Sequence, residues 1–227
     1  MGQGGINIMD AIKYLKLDLR ISKRTILMIM PALIFMAYMF LEQQVYIMGI
    51  SYLFLIKIVF INTPFMAQAN EKLSQLYSIF PTKLSKMVLG RFMYLAMWYL
   101  VTLFIETIMI MYLHNINEIS NKEIIIMAIS EIIAAIILFI QYPVSYKIGF
   151  ENSKILLNII GTLPGFIMMS LPTALIWNTF LDDKLDSILN LAVNNEIFLI
   201  TFSILILIIL GHISYLESCR ICKRKEA

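Results

Sequence analysis

Three ionisable side chains, Lys57, Glu106 and Glu131, stand inside long apolar runs. Charge placed in hydrocarbon is costly, so such residues mark a functional site by default. Lys57 has a structural reading: its long stem snorkels, carrying the ammonium to a nearby cytosolic face. Glutamate is too short for that. Glu106 and Glu131 either hydrogen-bond hydroxyls and water inside a helix bundle or line an outward cavity. In the second case they would receive the cationic face of a passing substrate. Other chemistry is sparse. His114, in an outer loop, and His212, near the end of the last apolar run, fall at opposite membrane faces, so no metal site is expected from them. Cys219 and Cys222 form a lone CxxC, whereas structural zinc wants four ligands. A reduced pair is the expectation for a cytosolic tail. There is no Gly-rich Lys loop for nucleotide phosphates and no HExxH pair. The chain is therefore not read as an enzyme, and no cofactor is expected in it.

The elements that must hold these residues follow from composition. Of 227 residues, 60% are hydrophobic and 15% charged, with mean hydropathy +0.82. Soluble domains carry about 25% charged residues, so a soluble globular enzyme is excluded. Apolar stretches at 25–41, 45–61, 92–113, 124–142, 155–177 and 197–216 each approach the ~20 residues that cross a ~30 Å hydrocarbon core. The fold expected is all-α: a polytopic membrane protein of six transmembrane helices, one domain over 1–227. Gly161 and Gly165 make a GxxxG, and Ser130 with Ala134 a second small pair, both suited to close helix packing. Pro164 and Pro172 suggest a broken or kinked fifth span. The sixteen methionines read either as lipid-facing filler or as a soft lining for varied amphipathic ligands.

Orientation comes from the basic residues. Fifteen of the eighteen Lys and Arg fall before span one, between spans two and three, between four and five, or after six. Lys122 and Lys184 alone fall in the alternate loops. The positive-inside rule places both termini in the cytoplasm. The net charge of +3 is thus a topological signal; a nucleic-acid partner would need one continuous basic face. The first apolar run lacks a small-residue cleavage site and reads as a retained helix. Heavy use of Ile, Asn, Lys and Met points to an A+T-rich bacterial genome, and so to a multi-pass protein of the bacterial plasma membrane.

Two cytoplasmic segments are amphipathic. Residues 9–22 put Ile12, Leu15 and Leu19 on one arc beside Lys13, Lys16 and Arg20, the pattern of an interfacial helix on a lipid bilayer. Residues 68–80 put Leu73, Leu76, Tyr77 and Phe80 on one face, with Glu71 among the polar residues. Pro81 stops that helix, and Thr82 caps the next. The apolar face is buried either on the membrane and bundle end or in a groove of a soluble partner. Residues 179–195 form a third amphipathic stretch, outside the cell.

The ordered set IKYLKLDLRISKRT, NEKLSQLYSIFPTKLSKMVLGRF and QYPVSYKIGFENSK resembles the small permease chains of type-II-class ATP-binding-cassette (ABC) exporters. Size and loop pattern are most similar to those exporting phenol-soluble modulin-type amphipathic peptides. The resemblance implies a 68–80 coupling helix that docks on a separate ABC ATPase through Glu71, Leu73, Leu76, Tyr77 and Phe80. It implies that ATP and magnesium bind that partner, and that a second or related permease completes the assembly. Glu106 and Glu131 would then line the path of a hydrophobic or amphipathic substrate. The alternative is the substrate-binding membrane component of a vitamin-uptake system, which also has six spans and no ATPase.

Overall fold

The computed structural model describes residues 8–68, 84–148, 154–177 and 196–226. They form six α-helices: α1 (Ile8–Glu42), α2 (Tyr46–Gln68), α3 (Leu84–Asn115), α4 (Asn121–Ile148), α5 (Lys154–Trp177) and α6 (Glu196–Glu226). No strand occurs among the described residues. Five helices, all but α5, are long and apolar enough to cross a membrane; α5 carries the shorter apolar stretch Leu163–Ala174. The protein is an all-α polytopic membrane protein. The coupling segment lies outside the described residues except for Gln68, as do Glu71, Leu73, Leu76, Tyr77, Phe80 and the segment 179–195.

Helix α2 is the centre of the bundle. Thirteen of its 23 residues are buried, and α1, α3, α4 and α5 all pack on it. A helix enclosed on several sides is apolar all round, which is why α2 shows no single apolar stripe. It also runs past the expected end at Ile61. Asn62 donates to Ile58 O at 2.9 Å and to Gln141 Oε1 of α4 at 3.1 Å, and Thr63 Oγ1 donates to Val59 O at 3.0 Å. These bonds satisfy the polar side chains inside the bundle, so the Asn-Thr-Pro triplet continues the helix instead of ending it.

Residues 9–22 are not a separate helix. They are the first part of α1, which at 35 residues is about 52 Å long, well beyond a ~30 Å hydrocarbon core. The buried stripe there is Ala11, Tyr14, Asp18 and Ser22, and it packs on α3. Gly90 makes the approach possible: a Cβ there would lie 2.7 Å from both Ala11 O and Tyr14 Cβ. Asp10 adds an ion pair to Lys86 at 2.5 Å. Part of the segment 141–154, expected to be a loop, is also helical. Gln141 to Ile148 extend α4 with Pro143 inside it, and Tyr142 and Tyr146 are buried.

The remaining helices pack through small residues. Gly165 sets α5 against the Leu55 backbone of α2, and Gly211 sets α6 against the Phe139 ring of α4. Helix α5 is one continuous helix containing both Pro164 and Pro172. Ser130 and Ala134 are fully buried. Cys222 joins the core with Tyr14, Val88 and Tyr146, so the two chain ends meet at one end of the bundle. The opposite end has a second cluster of Ile50, Leu113, Ile119 and Met127. Here a short turn joins α3 to α4. Asn117 takes φ 59°, a left-handed conformation that Asn tolerates well. Ser120 and Glu123 then form a capping box: Ser120 N donates to Glu123 Oε2 at 2.7 Å, and Glu123 N to Ser120 Oγ at 3.3 Å.

Candidate functional site: a buried lysine between two glutamates

Lys57 does not snorkel. Because α2 extends to Gln68, Lys57 is the middle residue of that helix, and its side chain is 0% exposed. Its ammonium lies 2.6 Å from both carboxylate oxygens of Glu131 and 2.9 Å from Glu106 Oε2. The Phe54 and Tyr99 rings flank it, with centroids 5.2 and 4.9 Å away, in range of cation–π attraction. Three helices supply one residue each. Measured from the helix ends at the α3–α4 turn, the three Cα positions lie about 17, 14 and 15 Å deep for Lys57, Glu106 and Glu131. Equal depth is what lets them meet.

A lysine ammonium has three N–H donors, and three oxygens surround it here. Glu106 Oε1 is left over: it is buried and has no hydrogen-bond partner among the described residues. One ammonium thus faces two carboxyl groups. Beside them, between α2, α3 and α4, opens a cavity of about 360 Å³ whose wall includes Phe54, Leu103, Glu106, Thr107, Met127 and Glu131. His114 stands at its outer rim by the α3–α4 turn, its Nδ1 3.1 Å from Ile119 O.

A second buried charge lies at the other end of the bundle. Arg91 and Asp18 are both fully buried, with Nε 3.9 Å from Oδ2. The Arg91 guanidinium donates to Gln68 Oε1 and stacks 4.6 Å from the Phe65 ring centroid and 5.6 Å from that of Tyr146. Tyr142 donates to Arg91 O at 3.3 Å. Gln68 ends α2 and Arg91 lies in the first two turns of α3, so this contact clasps the two helices on either side of residues 69–83.

The two glutamates singled out in the sequence are thus brought together, and a lysine assigned to the membrane edge joins them. Sequence reasoning missed that link because it ended span two seven residues early. It also missed Asp18 and Arg91 as partners. A signal existed: Ala11, Tyr14, Asp18 and Ser22 follow the 3–4 spacing of one helix face, with the acid in its middle. Among the described residues no group of three or more His, Cys, Asp or Glu could hold a metal ion.

Residues 14–223 match a family model described as ABC-2 family transporter protein. No curated protein and no solved structure matches.

Proposed function

The chain belongs to the ABC-2 family of transporter proteins, and from that premise we propose that it is the permease subunit of an ABC exporter, moving hydrophobic or amphipathic substrates, peptides foremost, outward across a bacterial plasma membrane. Both termini would lie in the cytoplasm. A separate ABC ATPase would bind ATP and magnesium and dock on residues 68–80 through Glu71, Leu73, Leu76, Tyr77 and Phe80. A second permease, identical or related, would complete the membrane assembly.

One observation carries this reading beyond the family. The helices on either side of the coupling segment, α2 and α3, are the ones that bear Lys57 and Glu106. Lys57 is 11 residues from Gln68, about 17 Å along a rigid helix. Movement of a docked ATPase would therefore reach the charged cluster directly. ATP can drive such a change only if it favours one arrangement of the pair over the other. Glu106 and Glu131 would line the path taken by the substrate. The largely apolar cavity wall gives a polar vitamin few partners, and nothing favours the uptake alternative.

The docking claim is tested with Leu76→Ala plus Phe80→Ala. Truncating an interface anchor typically costs about 2 kcal/mol or more, roughly thirtyfold in binding. The double variant should fold, lose its ATPase on purification in detergent, and stop transport. Retention of the ATPase at wild-type levels would show that the interface is made elsewhere.

A further inference from the structure

We infer that the outward face of α1 holds a site for an anionic phospholipid, with Arg20, Lys23 and Arg24 around its phosphate and Leu27 and Met28 beside its chain. Face and charge point to it together. At about 100° per residue, Lys16, Arg20, Lys23 and Leu27 fall within about 60° of one another, and all four are exposed. The buried stripe of Tyr14, Asp18 and Ser22, which packs on α3, is centred on the opposite side of the helix. The cations therefore stand away from the bundle, and Arg24 and Met28 flank their stripe. Elsewhere cations answer acids: Lys13 and Lys86 pair with Asp10, Lys57 with both glutamates, Arg91 with Asp18, and Arg220 with Glu217. Arg20, Lys23 and Arg24 have no ion-pair partner among the described residues. Three cations within five residues repel one another, and a bound anion relieves that repulsion.

Depth selects a lipid as the source of that anion. From Thr25 to Glu42 helix α1 runs about 27 Å, close to the ~30 Å of a hydrocarbon core, so Arg24 stands at its boundary. Arg20 is four residues, about 6 Å, further out. A headgroup layer is about 5–8 Å thick on each side, so the three cations share it. From Lys23 to Glu42 no described side chain is buried, and Leu27 and Met28 are 60% and 64% exposed. Those two line one shallow recess with Arg20, Lys23 and Arg24. A ligand that fills it has an anionic end against the cations and an apolar stem beside Leu27 and Met28. Inorganic phosphate has only the first. A zwitterionic lipid brings an ammonium of its own into the cationic field. Two arginines one turn apart can each offer paired N–H donors to phosphate oxygens, and Lys23 adds a point charge. A lipid of the phosphatidylglycerol type, with no cation in its headgroup, meets all of these conditions. Such a site needs only a bilayer and is independent of any exported substrate.

The test uses the purified full chain in neutral detergent and native mass spectrometry of its lipid adducts. Dioleoyl-phosphatidylglycerol and dioleoyl-phosphatidylcholine, which share their tails, are added in equal amounts. The wild type should retain the anionic lipid at least tenfold over the zwitterionic one. Arg20→Gln, Lys23→Gln and Arg24→Gln together should bring that ratio close to one. Lys223→Gln with Arg224→Gln, two exposed cations of α6, should leave it unchanged; an equal loss there would reduce the preference to net charge and overturn the site. Excess inorganic phosphate should not displace the lipid, and displacement would overturn the lipid in favour of a free anion. A phosphatidylglycerol with a diazirine high on one chain should cross-link to Leu27 or Met28 of the wild type, a measurement that serves if the triple variant does not fold. Equal retention of the two lipids, a ratio unmoved by the triple variant, or cross-links confined to other helices overturns the site. Lipid carried by monomers but absent from dimers would give this face to a second copy of the chain and overturn it as well.

Discussion

At the scale of single residues, the Lys57–Glu106–Glu131 cluster separates two properties that are usually entangled. A buried ion pair contributes little net stability, but breaking one by removing a partner costs about 3–5 kcal/mol. Lys57→Met strands two carboxylates and should lower the melting temperature by roughly 10 °C. The triple change Lys57→Met, Glu106→Gln, Glu131→Gln removes all the charge at nearly constant volume, so thermal stability should return close to wild type. Transport should not return, because the path would have lost its carboxylates. Glu131→Gln alone should lower transport with ATPase binding intact. A triple variant that exports normally would reduce the cluster to a packing device.

Elements meet here through a few close approaches, and among the described glycines the one between α1 and α3, Gly90, leaves the least room. The Cβ built at Gly90 comes 2.7 Å from a backbone oxygen, Ala11 O. Backbone cannot rotate aside as a side chain can, so α1 must move. We expect Gly90→Leu to lift the N-terminal part of α1 from α3 while the apolar part of α1 stays in the bundle. A short bifunctional thiol reagent should join cysteines placed at Asp10 and Lys86, whose native charges are 2.5 Å apart. Adding Gly90→Leu should abolish the cross-link. Undiminished cross-linking would mean that the helices tolerate the larger separation, and that the glycine is not what sets their contact.

At the scale of the whole molecule, orientation gives a decisive test. In a background with Cys219 and Cys222 changed to alanine, cysteines at Gln43 and Glu118 should react with an impermeant reagent from outside the cell. Cysteines at Ser78 and Gly149 should not. Labelling of Ser78 in intact cells would reverse the topology and remove the coupling segment from the ATPase side. The class of the protein was legible in the sequence because it rests on composition and period. Long apolar runs at ~20 residues leave a polytopic helical bundle as the fold, and the ordered set of segments between and before the spans pointed to the transporter family that residues 14–223 match. The glutamates were legible for the same reason, since charge in an apolar run stands out one residue at a time. Helix ends were less so. Polar triplets such as Asn62-Thr63-Pro64, and the stretch Gln141–Ile148, look like loop until a neighbouring helix supplies Gln141 for Asn62 or a buried pocket for Tyr142 and Tyr146. Pairing was not legible at all. Lys57, Glu106 and Glu131 are 49 and 74 residues apart for the two lysine contacts, and only the packing of three helices at one depth decides that the ammonium of one answers the carboxylates of the others.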